Sequence, residues 1–270
     1  MMDSPWIAAL LTLFVWWFST GIILWRVRVA DNGLPGDHLN SVIAGIPLLV
    51  LGFWAAWISL PDLTAGGIYT AFFAALAIWG WIELAFLSGI ITGPNRQDCP
   101  PFARPANRFW RAVGTIAWHE SLLILTLLVL GVMSLHATNP FAFGTFAVLF
   151  FARISAKLNL FLGVPRINVQ FLPRPLAHLA SHFRIRRISA FFPVSVSVLT
   201  VASALMMERA INVDKPGMDV GYALLTCLCL LALLEHWFMV LPLPDEKLWR
   251  WMLPAAKSKI DRLNEDANGL

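Results

Sequence analysis

Seven stretches of this chain are apolar over a length that can cross a lipid bilayer, and this feature constrains the fold more than any other. A helix needs about 20 apolar residues to span the hydrocarbon core. The seven stretches are Pro5–Trp25, Ser41–Leu60, Gly66–Gly93, Arg111–Leu135, Pro140–Leu160, Ala190–Met207 and Asp219–Leu241. The sequence therefore predicts an all-α, polytopic membrane protein with about seven transmembrane helices in one bundle.

The composition of the chain excludes most other classes of protein. Apolar residues make up 58% of the sequence and charged residues only 13%. A soluble domain carries roughly 25% charged residues, which solvate its surface. The chain has no Gly-rich phosphate loop, no GxSxG nucleophile elbow and no nucleic-acid-binding motif. Its expected surroundings are a lipid bilayer, and we expect no nucleic acid partner.

The distribution of basic residues predicts the orientation of the chain. Alternate connections between the seven stretches, together with the C-terminal tail, hold 18 of the 20 Lys and Arg residues. Basic residues accumulate on the cytoplasmic side of a membrane, which places the N-terminus in the periplasm and the C-terminus in the cytoplasm. We expect residues 1–241 to form the bundle, with a long cytoplasmic connection at 161–189, and residues 242–270 to form a cytoplasmic tail.

The connection 161–189 carries a second pattern. Pro175–Arg187 is typical of a short basic amphipathic helix, which would lie on the anionic inner leaflet or dock a partner protein. His178 and His182 stand four residues apart and would share a helix face as metal ligands, although the sequence offers no obvious third ligand. Arg153 and Lys157, in the final turns of the fifth stretch, are expected to snorkel to the headgroups.

Ionisable side chains inside the spans mark the candidate functional site, because charge is costly in hydrocarbon. Five such residues are Glu83, His119, Glu120, Glu235 and His236. With a rise of roughly 1.5 Å per residue, all five lie about 9–15 Å below the expected cytoplasmic face. Three different spans thus place carboxylates and imidazoles in one layer. We predict all five as candidate metal ligands and His119 and His236 as candidate cofactor ligands.

Three interpretations of this layer remain open from the residues alone. Carboxylate and imidazole suit zinc, iron or manganese, although neighbours on a helix differ by about 100° and cannot both point at one metal. One of each pair would then ligate while the other hydrogen-bonds a second helix. A histidine could instead be the axial ligand of a haem or a (bacterio)chlorophyll. Alternatively, the Glu and His residues form a structural network that holds the bundle together.

Several segments of the chain resemble a known family. They are Ser155–Pro165, Trp118–Glu120, Leu172–Phe183, Phe192–Ser195 and Glu235–Glu246, which occur in the family's order along most of the chain. Together they resemble the PuhE family, photosynthetic complex assembly proteins of purple phototrophic bacteria. The resemblance implies seven spans and a location in the inner, intracytoplasmic (chromatophore) membrane.

The resemblance also implies a role in bacteriochlorophyll supply or in assembly of the reaction centre and its antenna. The partners would be reaction-centre or antenna subunits or pigment-biosynthesis enzymes, and the resemblance brings no catalytic residues with it. Two functions compete on this basis. One is a membrane assembly factor without enzymatic activity. The other is a membrane-embedded metalloenzyme, or a subunit of one, that acts on a tetrapyrrole with the Glu/His layer as its metal site.

The orientation can be tested with reporters fused to each end of the chain. An N-terminal fusion is expected to place its reporter in the periplasm, and a C-terminal fusion is expected to place its reporter in the cytoplasm. Alkaline phosphatase, active only outside the cytoplasm, and a green fluorescent protein, fluorescent only inside it, give opposite readouts. Both ends on the same side would contradict an odd number of spans.

Overall fold

A computed structural model describes residues 4–215, 217–243 and 247–248. Within these residues the regular secondary structure is helical apart from one isolated β-bridge, and seven helical segments are long and apolar enough to cross a membrane. The predicted fold class is confirmed. The helices are α1 (Pro5–Asp31), α2 (Asp37–Ala44), α3 (Ile46–Ser59), α4 (Ala65–Leu87), α5 (Pro105–Ser134), α6 (Phe141–Leu162), α7 (Phe191–Asn212) and α8 (Met218–Phe238).

The second span consists of two helices rather than one. Helix α2 ends at Ala44, and α3 begins at Ile46 on the other side of Gly45. Pro47 explains the break, because proline has no amide hydrogen and its ring collides with the carbonyl four residues earlier. Together α2 and α3 run from Asp37 to Ser59, long enough to cross the membrane.

The third span ends six residues earlier than the sequence suggested. Helix α4 ends at Leu87, and Gly89 then adopts a φ of 73°, a conformation that favours glycine. The chain folds back against α5 so closely that a Cβ at Gly93 would lie 2.1 Å from the Gly114 carbonyl oxygen. The Thr92 carbonyl accepts the amide hydrogen of His119 at 3.0 Å. The segment after α4 is therefore hydrogen-bonded to the backbone of α5 at His119, which is a predicted site residue.

Helices α4 and α8 form the centre of the bundle. About half of the apolar window of each is buried inside the protein, against a third or less for the other spans. Helix α8 packs on α7, α1 and α6, while α4 packs on α3 and α6. Between helices in lipid the hydrophobic effect is weak, so small residues that allow close contact are favoured at the interfaces. At Gly221 of α8 an added Cβ would lie 2.2 Å from the ring of Phe141.

The connection 161–189 does not contain the predicted helix Pro175–Arg187. A 3-10 helix covers Arg174–His182, and the chain beyond it is extended. The extended part pairs its backbone with the end of α6, where the Arg184 amide donates to the Leu160 carbonyl at 3.0 Å. These hydrogen bonds replace the ones that an α-helix would have made. Leu176 and Leu179 pack on Phe86 of α4, so the segment covers one end of the bundle.

Candidate functional site

Four polar residues of α6 each bind a different helix of the bundle. They are Arg153, Ser155, Lys157 and Asn159, which bind α4, α8, α5 and α7 respectively. Residues four apart lie on the same side of a helix. Arg153 and Lys157 therefore form one cationic stripe, and the hydroxyl of Ser155 and the amide of Asn159 form a second stripe on another side.

The cationic stripe neutralises two of the predicted site residues. The Arg153 guanidinium donates through Nη2 to Glu83 Oε2 at 3.0 Å. Lys157 Nζ donates to Glu120 Oε1. Both cations therefore point into the bundle, so the expectation that they snorkel to the headgroups is wrong. In an apolar surrounding an unpaired charge is costly, and the carboxylates of Glu83 and Glu120 give each cation a partner within reach.

The second stripe of α6 holds His236. The Nδ1–H of this imidazole donates to the Ala232 carbonyl at 2.7 Å, because a carbonyl oxygen can only accept. The other ring nitrogen, Nε2, then accepts from the Ser155 hydroxyl at 2.8 Å. Both nitrogens of His236 thus have protein partners. Asn159 continues the stripe by donating to Ser195 Oγ at 2.9 Å.

His119 has a different environment. Its side chain is completely buried, and neither ring nitrogen makes a hydrogen bond within the described residues. The ring stacks on Phe86 with 4.2 Å between centroids, and Nε2 lies 3.7 Å from Glu83 Oε1, which also has no hydrogen-bond partner there. His119 and Glu83 thus face each other across a gap slightly longer than a hydrogen bond.

Glu235 lies on α8, next to helix α1. Its Oε1 accepts the indole N–H of Trp16 at 2.8 Å. No cation of the described residues makes an ion pair with it. The residue is exposed, and it lines a partly open cavity between the helices. We call the set Glu83, His119, Glu120, Arg153, Lys157 and Glu235 the charged layer.

The cavity has a volume of about 640 Å³ and lies between α1, α4, α5, α6 and α8. Its wall is mostly apolar, with aromatic rings from Trp16, Trp79, Phe86 and Phe109. The 3-10 segment and its neighbours cover one end through Leu176, Leu179, His182 and other residues. Every charged residue of the charged layer lines it. This volume is typical of a site for a small molecule.

The five predicted site residues therefore lie in different surroundings and have different partners. Glu83 and His119 face each other, while Glu120 and Glu235 reach the same cavity from α5 and α8. His236 is engaged by the second stripe of α6. Within the described residues no group of three or more His, Cys, Asp or Glu side chains is placed to hold a metal ion. The metal and cofactor assignments stay predictions, and the structure supplies no ligand set for them in this part of the chain.

The sequence did not identify Arg153, Lys157, Ser155 and Trp16 as partners of the site. The sequence did contain a sign of the partners of Arg153 and Lys157. Two cations four residues apart in an apolar stretch need acidic partners at a similar depth in the membrane. Ser155 and Trp16 carried no such signal. A hydroxyl and an indole are common in membrane helices, and only the packing of α1, α6 and α8 shows what they contact.

His178 and His182 lie on the 3-10 helix, and their role as metal ligands stays a prediction. His182 Nδ1 lies 3.3 Å from the His178 carbonyl oxygen and 3.2 Å from Ser181 Oγ, so it is held by its own segment. Burial lowers the pKa of both imidazoles below the usual range, which favours their neutral forms. Ser181 Oγ also accepts the Cys99 amide hydrogen at 2.8 Å, which joins this segment to the connection after α4.

The fold and the charged layer define a multi-pass membrane protein with an ion-paired internal cavity. The chain belongs to the family described as "Protein of unknown function (DUF3623)", whose model matches residues 2–260. A protein of Rhodobacter capsulatus, "Uncharacterized 30.4 kDa protein in puhA 5'region", is 56% identical over 268 residues, which cover 99% of this chain and 98% of that protein.

A second similarity is weaker. A cobyric acid synthase of Mycolicibacterium vanbaalenii is 28% identical over 156 residues, which cover 54% of this chain and 30% of that enzyme. So short a share of a longer enzyme carries no argument about function. No solved structure matches the chain.

The Glu83–Arg153 ion pair predicts a specific pattern of stability. Arg153→Met removes the ion-pair partner of the buried Glu83 carboxylate. Because about 40% of the Arg153 side chain is open, we expect the free energy of unfolding to fall by about 1–3 kcal/mol. The double variant Arg153→Met/Glu83→Leu removes both charges and should recover most of that loss. Unfolding in mixed micelles with increasing sodium dodecyl sulfate measures each value.

A matched control for this test is the exposed pair Glu208–Arg209, at 3.8 Å. Arg209→Met should change the free energy of unfolding by less than about 1 kcal/mol. If the double variant at the buried pair is as unstable as the sum of its two single variants, the ion pair does not hold the layer together.

Proposed function

We propose that this protein is a membrane assembly factor for the photosynthetic reaction centre or its antenna, acting in bacteriochlorophyll supply or in subunit assembly. Two related observations support the photosynthetic context. The relative that is 56% identical is named for its position in the puhA 5' region, and that locus is photosynthesis-related. The segments quoted from the sequence resemble the PuhE family, whose name refers to the same puh genes.

The observation that carries the proposal is the internal cavity with its ion-paired lining. Arg153 and Lys157 are already matched by Glu83 and Glu120, so the charged layer fixes the cavity wall. The remaining wall is apolar and aromatic. A mostly apolar, partly open cavity between membrane-spanning helices suits the holding and transfer of a hydrophobic component, which is what an assembly factor for pigment-containing complexes needs.

The end of the bundle near the cavity offers a surface for partners. Arg186 and Arg187 are exposed, and Arg184 lies next to them at the end of the connection 161–189. Under the orientation expected from the basic residues, this end faces the cytoplasm. A cluster of Arg residues there would attract an acidic protein surface or the anionic leaflet of the inner membrane. Reaction-centre or antenna subunits and pigment-biosynthesis enzymes are the proposed protein partners.

A metalloenzyme acting on a tetrapyrrole is the second candidate function. The observation that favours it is the pair His119 and Glu83, whose facing atoms have no hydrogen-bond partner within the described residues. Such buried polar atoms are unusual and occur at functional sites. In this reading iron or zinc would be held by residues of the charged layer and would supply the Lewis-acid or redox chemistry.

A cavity-filling variant tests the proposed function in cells. Gly80 lines the cavity, and a Cβ added there would approach only the tip of Ile23, at 3.6 Å, so Gly80→Phe would place a ring in the chamber. We expect fewer reaction centres per cell at unchanged protein abundance, while bacteriochlorophyll synthesis continues. Gly66→Phe on the same helix, at an exposed position, is the matched control and should leave reaction-centre number unchanged.

The same strains separate the two candidate functions. For a metalloenzyme, His119→Ala should abolish pigment formation and protein-bound metal together at normal protein abundance. For an assembly factor, His119→Ala should leave pigment synthesis intact. Normal numbers of reaction centres in both Gly80→Phe and a strain without the protein would reject the assembly role.

A further inference from the structure

The charged layer contains one acid more than its cations can neutralise. Three carboxylates line the cavity, and two cations line it with them. Glu83 and Glu120 are matched by Arg153 and Lys157. Glu235 accepts a hydrogen bond from Trp16 and has no cation of the described residues within ion-pair distance, and Arg153 acts on it only from further away. A carboxylate without a cation in an apolar site takes up a proton rather than remaining charged. A protonated Glu235 would have an O–H group, and the lining of the cavity as a whole would be neutral.

Arg153 provides a second set of donors at the same place. Its guanidinium cannot lose its charge in a protein and has five N–H hydrogens in a fixed fork. The bond to Glu83 uses Nη2, whereas Nη1 makes no hydrogen bond to the described part of the protein. About 40% of the side-chain surface is open, and the residue lines the cavity. Its Nε is buried and also has no hydrogen-bond partner within the described residues, so Arg153 has unused donors at the cavity.

We propose that the cavity binds a neutral, conjugated, mostly apolar molecule whose carbonyl oxygen accepts hydrogen bonds from Arg153 and from protonated Glu235. Each part of the assignment follows from the lining. The oxygen acceptor matches the unused donors, since an unsatisfied buried donor costs about 1–3 kcal/mol. The conjugated body matches the aromatic rings, which prefer to stack on flat partners. Neutrality matches a lining whose charges already cancel, because an added charge in this site would have no counter-ion.

Carbonyl compounds of this kind include membrane quinones and esterified tetrapyrroles, and the binding chemistry is shared between them. The inference rests on the proposed function only in the second case, where the cavity would hold a pigment. In the first case the site stands by itself.

The test uses the purified full-length chain in nanodiscs and follows quenching of its tryptophan fluorescence, because Trp16 and Trp79 line the cavity. The probes are a benzoquinone with a short isoprenoid tail and a metal-free porphyrin dimethyl ester. Saturable quenching with one site per chain is expected for at least one probe, and the probe that binds more tightly identifies the source. The free porphyrin diacid should bind more weakly than its ester, because it brings negative charge.

Variants at Glu235 and Arg153 make the assignment specific. Glu235→Gln keeps a hydrogen-bond donor and an acceptor for Trp16, so its Kd should stay within about threefold of the original. Glu235→Leu removes a donor to the ligand, and Arg153→Lys removes the guanidinium fork that would serve Glu83 and the ligand together. Each change should raise Kd about threefold to tenfold. Glu208→Leu, at an exposed position on α7, should have no effect. Thermal unfolding in the same nanodiscs shows whether each variant is folded.

Two results would overturn the proposal. One is quenching that does not saturate with either neutral probe. The other is saturable binding with the wrong specificity. Its Kd would be unchanged in folded Glu235→Leu and Arg153→Lys, or it would be tighter for the diacid than for the ester. These outcomes concern the ligand site alone, whereas reaction-centre numbers in cells concern the assembly role, so either claim can fail without the other.

Discussion

The rest of the structure depends on the two polar stripes of α6. Arg153 and Lys157 bind carboxylates on α4 and α5, while Ser155 and Asn159 bind α8 and α7. Apolar side chains alone would not fix the rotation of a helix in lipid, because the surrounding hydrocarbon is as apolar as a neighbouring helix. Buried polar groups do fix it, since any other rotation leaves them without partners. Helix α6 therefore has one favourable orientation, and four other helices are positioned by it.

The charged layer also explains why the bundle encloses a cavity. Long side chains that meet across the space between helices hold those helices apart, and the space beside the ion pairs remains open. Helix α1 completes the wall through Trp16, which binds Glu235 instead of one of the paired acids. The 3-10 segment covers one end by packing Leu176 and Leu179 on Phe86. Stability and a chamber for a ligand thus arise from the same contacts, which supports the proposed holding function.

Much of the fold could be predicted from the sequence, because apolar length determines whether a segment can cross a membrane. The exact ends of the helices were harder to predict, because single residues determine them. Pro47 divides the second span, and Gly89 follows the end of the third. The acids and imidazoles of the site were identified from their cost in hydrocarbon. Their partners were not, because the direction in which Arg153 and Lys157 point depends on the rotation of α6, which has no strong apolar and polar sides in this sequence.

The central claim is that cations of α6 bind acids of the neighbouring helices, and a charge exchange at the second ion pair tests it most directly. Lys157→Glu alone and Glu120→Lys alone each place two like charges together in the bundle, so each should greatly reduce the folded protein recovered from membranes. The double variant with both changes restores one acid and one base at the same place. The folded fraction, measured by size-exclusion chromatography in mild detergent, should return to at least half of the original value. A double variant that is no better folded than the worse single variant would contradict the account.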